Sequence, residues 1–308
     1  CGDSLSSLSG VVPFPPIVGV VVELLSISDH LVFNSFSQLE GFRPLWEQER
    51  NRVSIGLRVN PEHSEGHTEI YDPCAKNSRL GIPRREFEGK SLTGVDGLHF
   101  HTLCEHLFEP LARTAKVFEE KFGEFLPGMK WLNLGGGHHI TRAGYDIDGL
   151  VALVKYFRDK YDVEVYLEPG EAVVIGTGLL VGEVLDVVPN EIETAILDVS
   201  ATCHMPDILE MPYRPEVFGG YDPGVKQYTY RLGGPSCLAG DIIGDWSFVR
   251  PLTAGDRLAF LDMAHYTMVK STTFNGIQLP HLCIYEPEVE SLRVVRSFDY
   301  EDFRGRLS

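Results

Sequence analysis

WLNLGGGHH, residues 131–139, and YLEPGEA, residues 166–172, decide how this chain is read. Each is an apolar run that ends in a turn. The first ends in Gly135, Gly136 and Gly137, the second in Glu168 followed by proline and glycine. Three adjacent glycines strip the side chains from a strand-to-helix turn, so bare backbone N–H groups can face an anion. Glu168, ending the next strand, then stands near the other end of the same ligand. A turn for a phosphate and an acid for a ring nitrogen outline a pyridoxal 5′-phosphate (PLP) site. The glycine triplet alone is equally well explained as a tight βα turn, and Glu-Pro-Gly alone as a plain turn. Their occurrence at successive strand ends tips the reading towards a site.

Outward from these motifs, residues 31–168 alternate strand and helix. Strands are expected at 30–35, 54–59, 97–102, 130–135 and 163–169, with a doubtful one at 17–22 (IVGVVV). Helical spacing links Leu107, Leu111, Phe118 and Phe122, and again Leu150, Leu153, Val154 and Phe157. Repeated βα units with chemistry-bearing residues at strand C-termini predict a TIM-type (β/α) barrel rather than a doubly wound sheet. A full barrel takes eight strands in about 250 residues, so roughly two or three βα units, the first ones, are expected to be missing. After Ala172 the texture becomes short and β-rich, as in a C-terminal β-barrel or sandwich. The expected divisions are a truncated or aberrant segment 1–28, a partial barrel 29–171 and a β domain 172–308.

The net charge of −17 argues against nucleic acid as a partner and suits a cationic small molecule. The six cysteines are scattered, without a CxxC pair, which predicts reduced thiols in a cytoplasmic protein and no metal site. No apolar run approaches the about 20 residues of a membrane span. The start holds prolines at 13, 15 and 16 and no basic residue before the apolar run, so it does not read as a targeting segment.

At DHLVFNSFSQLE, DPCAKNSRLG, GLHFHTLCE, LNLGGGHHIT, YLEPGEAVV, ILDVSATCHMPDILEMPYRP, GGPSCLAGDIIGDW and AHYTMVKSTTFNG the chain resembles the alanine-racemase-fold (fold type III) PLP-dependent decarboxylases. EPGEA and CHMPDILEMPYRP are most similar to their carboxynorspermidine/carboxyspermidine branch. The resemblance implies PLP as cofactor, a polyamine carboxylate as substrate, CO2 as a product and a homodimer with shared active sites. It assigns the phosphate to the N–H groups of Gly135, Gly136 and Gly137, with hydroxyls from Thr102 and Tyr266. His99 would stack on the pyridine ring, and Glu168 would accept the ring N–H and keep it protonated. Cys237, from the neighbouring subunit, would return a proton to Cα. Asp198 and Asp241 would hold the substrate's cationic chain, or else cap turns; Arg79 and His204 are further pocket candidates. Read without the resemblance, His99 is a core histidine and Cys237 a small hydrophobe.

Two departures stand out. The family joins PLP covalently to a lysine on the first barrel strand, and no lysine precedes Lys76 here. The chain as written is therefore expected to be inactive, a fragment of a working enzyme or else a pseudoenzyme that regulates an active homologue. Lys270 is not expected to substitute, and Lys116, Lys121 and Lys155 read as solvated. Glu171 stands where related branches place a phosphate-binding arginine. It is expected to point away from phosphate or to serve the substrate's amines, which speaks against the rival ornithine, arginine or diaminopimelate activities.

Overall fold

The computed structural model describes residues 9–12, 18–66 and 68–307. The chain divides into two compact units, the first reaching to Val173 and the second beginning at Val174.

The first unit is built on a parallel sheet. Its strands are β1 (Ser9–Val12), β2 (His30–Phe33), β3 (Ser54–Asn60), β4 (Ile82–Pro83), β5 (Gly97–His99), β6 (Trp131–Asn133) and β7 (Glu164–Tyr166). They lie in the order β1-β2-β3-β5-β6-β7, with the two-residue β4 beside β3. Pairing register sets one apolar row, Phe33, Leu57, Leu98, Leu132 and Val165, across five strands. One residue further along, the same register aligns Arg58, His99, Asn133 and Tyr166. Successive strand residues face opposite sides of a sheet, so this next row faces away from the apolar row and lies at the strand C-termini.

Helices α1 (Val18–Ile27), α2 (Phe36–Gly41), α3 (Arg43–Trp46), α4 (Phe108–Phe122) and α5 (Ile147–Tyr161) join the strands. Helix α4 buries Leu111, Ala115, Phe118 and Phe122, one stripe at helical spacing. Asp146 caps α5 by accepting the Gly149 N–H at 2.8 Å.

The start of the chain corrects the sequence reading. The run at 17–22 is not a strand: residues 18–22 lie in α1, which buries Val21 and Leu25, four residues apart. β-branched residues tolerate this helix because it needs only one narrow apolar stripe to pack. The parallel neighbour of β2 is instead Ser9–Val12. Residues 9–12 and 18–27 thus form a strand and a helix of this unit, while 1–8 and 13–17 lie outside the described residues.

The second unit holds β8 (Leu179–Val188), β9 (Glu193–Leu197), β10 (Tyr228–Gly233), β11 (Ile242–Phe248) and β12 (Arg257–Leu261) in the order β11-β10-β9-β8-β12. All its pairs are antiparallel except β9 with β10. Strand β8 shows the period of a half-covered sheet: Leu180 and Val184 are buried, Leu179, Val181 and Leu185 exposed. Short helices α6 (Ala201–His204), α7 (Asp207–Glu210), α8 (Tyr266–Val269) and α9 (Tyr300–Arg304) fill the connections. A separate antiparallel hairpin joins β13 (Leu282–Glu286) to β14 (Ser291–Arg296).

Candidate active site

In the first unit the predicted residues meet at adjacent strand ends. His99 is buried, and its Nε2 lies 3.1 Å from Glu168 Oε2. Asn133 Nδ2 donates to the other carboxylate oxygen, Oε1, at 2.9 Å. The acid is therefore aimed by a partner on each of two neighbouring strands. Arg58, aligned with His99 on β3, is buried and donates to the His101 carbonyl at 3.0 Å. Burial lowers its pKa, and the Glu168 charge acts against that shift.

The glycine turn works differently from the expectation. A Cβ on Gly135, Gly136 or Gly137 would lie 2.3, 2.0 or 1.9 Å from the carbonyl oxygens of Phe100, Glu168 and Leu103. Gly135 and Gly137 also have φ of 71° and 77°. The triplet is thus required by backbone packed on backbone. Two of its N–H groups are already used: Gly135 donates to Asn133 Oδ1 at 2.8 Å and Gly136 to His101 Nδ1 at 3.0 Å. Gly135 and Gly136 therefore shape the turn rather than hold an anion directly. Among the described residues, the N–H groups of Gly137 and His138 are the ones in this turn without a hydrogen bond.

Two histidines by the turn, His101 and His138, are held neutral. Burial and the neighbouring Arg58 charge push His101 down to about 4, which leaves Nδ1 free to accept the Gly136 N–H. Burial likewise brings His138 to about 4, with its Nδ1 2.7 Å from the Tyr145 hydroxyl. His139 is buried, and its Nε2 is 3.5 Å from Glu171 Oε2. The carboxylate of Glu171 is thus turned onto a histidine, which fits a residue that does not face phosphate.

These groups fit PLP. Thr102 Oγ1 and His99 Nδ1 are buried without a hydrogen-bond partner among the described residues, and such groups are costly unless a ligand meets them. With the free N–H groups after Gly136 the Thr102 hydroxyl supplies donors for a phosphate, and Glu168 supplies an acceptor for a ring nitrogen. Arg79 is exposed on the loop after β3, where its carbonyl accepts the Asn34 amide at 2.9 Å. The first unit's lysines lie elsewhere. Lys76, Lys116 and Lys155 are exposed, Lys130 pairs with Asp96 at 2.9 Å and Lys160 with Glu119 at 2.7 Å. Lys121, expected to be solvated, is half-buried and donates to the Pro61 carbonyl at 2.5 Å, because its long stem lies along the loop after β3.

In the second unit Cys237 is exposed on the turn between β10 and β11, with its N–H donated to Asn275 Oδ1 at 2.9 Å. Asp241 is buried and accepts the Ser200 hydroxyl at 2.8 Å and the N–H groups of Thr202 and Ser236, each at 3.1 Å. Its carboxylate is spent on these donors, so it pins the start of α6 to the Cys237 turn instead of meeting a substrate cation. Asp198 is exposed, one oxygen accepting the Glu183 N–H at 2.7 Å. His204 is buried and lowered to about 4 by desolvation, its Nδ1 accepting the Ser200 N–H at 3.2 Å. Tyr266 opens α8 half exposed, and Lys270, in the same motif, pairs with Asp207 and Glu210.

Asn133, Arg58 and His101 escaped the sequence reading. For Asn133 a signal existed: asparagine habitually bonds the backbone N–H two residues on, and here that N–H belongs to the first glycine of the triplet.

Comparison with known proteins fixes the kinship. A family profile described as pyridoxal-dependent decarboxylase, C-terminal sheet domain, matches residues 70–264. The chain is 47% identical over 295 residues to the carboxynorspermidine/carboxyspermidine decarboxylase of Campylobacter jejuni, covering 92% of this chain and 76% of the relative. The chain belongs to the carboxynorspermidine/carboxyspermidine decarboxylase family. The decarboxylase is also 44% identical over 286 residues to a carboxyaminopropylagmatine decarboxylase of Synechocystis, covering 92% and 73% of the two. The crystal structure of carboxynorspermidine decarboxylase complexed with norspermidine from Campylobacter jejuni superposes with a TM-score of 0.86 at 43% identity, over 97% of this chain and 80% of that one. Diaminopimelate decarboxylase from Helicobacter pylori complexed with L-lysine shares the fold, at a TM-score of 0.76 and 18% identity. The fold is thus that of the fold type III decarboxylases, a TIM-type barrel followed by a sheet domain, and the cofactor is PLP.

Proposed function

We propose that this decarboxylase acts on carboxynorspermidine or carboxyspermidine, releasing CO2 and norspermidine or spermidine. The observation that carries the reading is the buried cluster of His99, Glu168 and Asn133 beside the glycine turn, with its unpartnered hydroxyl and ring nitrogen.

Bound PLP supplies a protonated ring that draws off the negative charge left when CO2 departs. Each residue's part follows from its chemistry. Glu168 accepts the ring N–H and keeps that proton in place, because a carboxylate beside it favours the charged form. His99 holds Glu168 through Nε2 and offers its face to the ring. Gly137 and His138 give backbone N–H groups to the phosphate, helped by the hydroxyl of Thr102. Cys237, on an exposed turn of a second copy of the chain, gives the proton to Cα. Asp198, also exposed, receives a substrate ammonium, and the net charge of −17 draws polyamine cations in.

Two features support a homodimer. The proton donor lies on an exposed turn, and one face of the hairpin β13–β14 exposes Tyr285, Leu292 and Val294, an apolar surface suited to a second copy. The scattered thiols and acidic surface support the cytoplasm as its compartment. Among the described residues no helix is long and apolar enough to cross a membrane.

The test is CO2 release from carboxynorspermidine, carboxyspermidine and carboxyaminopropylagmatine, alongside ornithine and diaminopimelate, in protein supplied with PLP. The chain as written is expected to release none from any of them, because no described lysine of the first unit bonds to the cluster. A chimera that carries a relative's lysine-bearing first barrel strand ahead of the described residues is expected to bring activity with the polyamine carboxylates alone. Release from ornithine or diaminopimelate in that variant would refute the substrate assignment.

A further inference from the structure

We propose that Asn133 is a positioning residue that fixes the distance between the phosphate turn and the ring-nitrogen acid, so that PLP is bound as one rigid ligand rather than at two independent points. This rests on the placement of PLP at the glycine turn and Glu168.

Asn133 is the last residue of β6 and is buried to 3% exposure. Both ends of its amide are used. Oδ1 accepts the Gly135 N–H at 2.8 Å, and Nδ2 donates to Glu168 Oε1 at 2.9 Å. This orientation is settled by its partners, since the reversed amide would set donor against donor and acceptor against acceptor. One planar group of a few atoms therefore joins the turn that meets the ligand's anionic end to the acid that meets its aromatic end. A second bond locks the same pair of loops: the Glu168 N–H donates to the Gly135 carbonyl at 2.8 Å. His99 takes the remaining carboxylate oxygen, so Glu168 cannot swing towards the turn without breaking two side-chain bonds.

A strap of this kind has a signature that a packing residue lacks. Two half-sites held at the right separation bind a joined ligand far better than either half alone, because the second contact is made at high effective concentration. Loosening the strap costs the joined ligand that advantage and leaves the halves nearly as they were.

The experiment titrates the 308-residue chain with three probes, PLP, pyridoxal and inorganic phosphate, by calorimetry. In Asn133→Ala, PLP affinity is expected to fall about ten-fold or more, with pyridoxal and phosphate each changing by less than about three-fold. Thermal unfolding reports whether the variant folds. Should Asn133→Ala not fold, Asn133→Ser, which is small and keeps a hydroxyl to accept the Gly135 N–H, carries the same expectation. Unchanged PLP affinity in a folded variant overturns the strap, and so does a loss seen equally with one half-ligand. Wild-type chain that binds none of the three probes overturns the cradle itself, and the strap with it.

Discussion

His99 and Glu168, 69 residues apart, meet at 3.1 Å because β5 and β7 flank β6 and end at the same level of one parallel sheet. The contact gives the acid a fixed direction before any ligand arrives. Glu168→Gln keeps the shape but removes the charge that pairs with a ring N–H. Charge-assisted hydrogen bonds are roughly twice as strong as neutral ones, so PLP affinity is expected to fall about ten-fold. Titration of wild type and variant checks this. Equal affinities would remove Glu168 from the cofactor's contacts.

The glycine turn predicts a sharp contrast in stability. Gly137→Ala meets the Leu103 carbonyl and a positive φ together, and is expected to cost about 3 kcal/mol or more. Gly170→Ala meets nothing within 4 Å and has no such backbone demand. It is expected to leave the urea midpoint within experimental error. Similar midpoints for the two variants would contradict the packing of the turn.

Acid should weaken the fold from near pH 6.5 downwards. His101, His138 and His204 are each lowered by burial to about 4 in the folded chain, against 6.5 when unfolded. Between those values the unfolded chain binds more protons, so the stability present above pH 6.5 is lost as pH falls towards 4. His101→Asn keeps an acceptor for the Gly136 N–H but cannot titrate, and is expected to flatten part of that fall. Urea unfolding at a series of pH values measures the slope. A variant with the wild-type slope would show that His101 is not held neutral.

Thiol labelling tests the exposure on which the role of Cys237 depends. Cys237 and Cys283 are exposed, Cys203 is buried, and burial pushes Cys74 up to about 11. The thiolate is the reacting form, so iodoacetamide is expected to modify Cys237 and Cys283 well before Cys203 and Cys74. Mass spectrometry of tryptic peptides gives the order. Adding Asp241→Asn should loosen the Cys237 turn, because the buried carboxylate that takes the Ser236 N–H is lost. The labelling rate at Cys237 should then change while that at Cys283 stays the same.

Much of this architecture could be read from residue order. Apolar alternation located β2, β3, β5, β6 and β7, and helical spacing located α4 and α5, because those elements bury a regular stripe. Glu168 could be read from its place at a strand end, whereas His99 and Thr102 were legible only through the family resemblance. What stayed hidden depended on partners distant in sequence. Residues 18–22 carry the composition of a strand, and only the packing of Val21 and Leu25 makes them helical. The glycine N–H groups looked available until Asn133 and His101 were seen to claim two of them. For Asp241 the choice between a substrate acid and a turn cap stayed open, because nothing local reveals that Ser200 reaches it across 41 residues.

The strand pairings also set an order of assembly during synthesis. In the first unit, most strands pair with the strand made just before them, so that sheet grows as the chain emerges. In the second unit β8 must await β12, with Leu180 opposite Phe260, and until then one long edge of β8 offers its backbone to any passing strand. A nascent chain stalled shortly before Arg257 would leave that edge bare and open to mispairing.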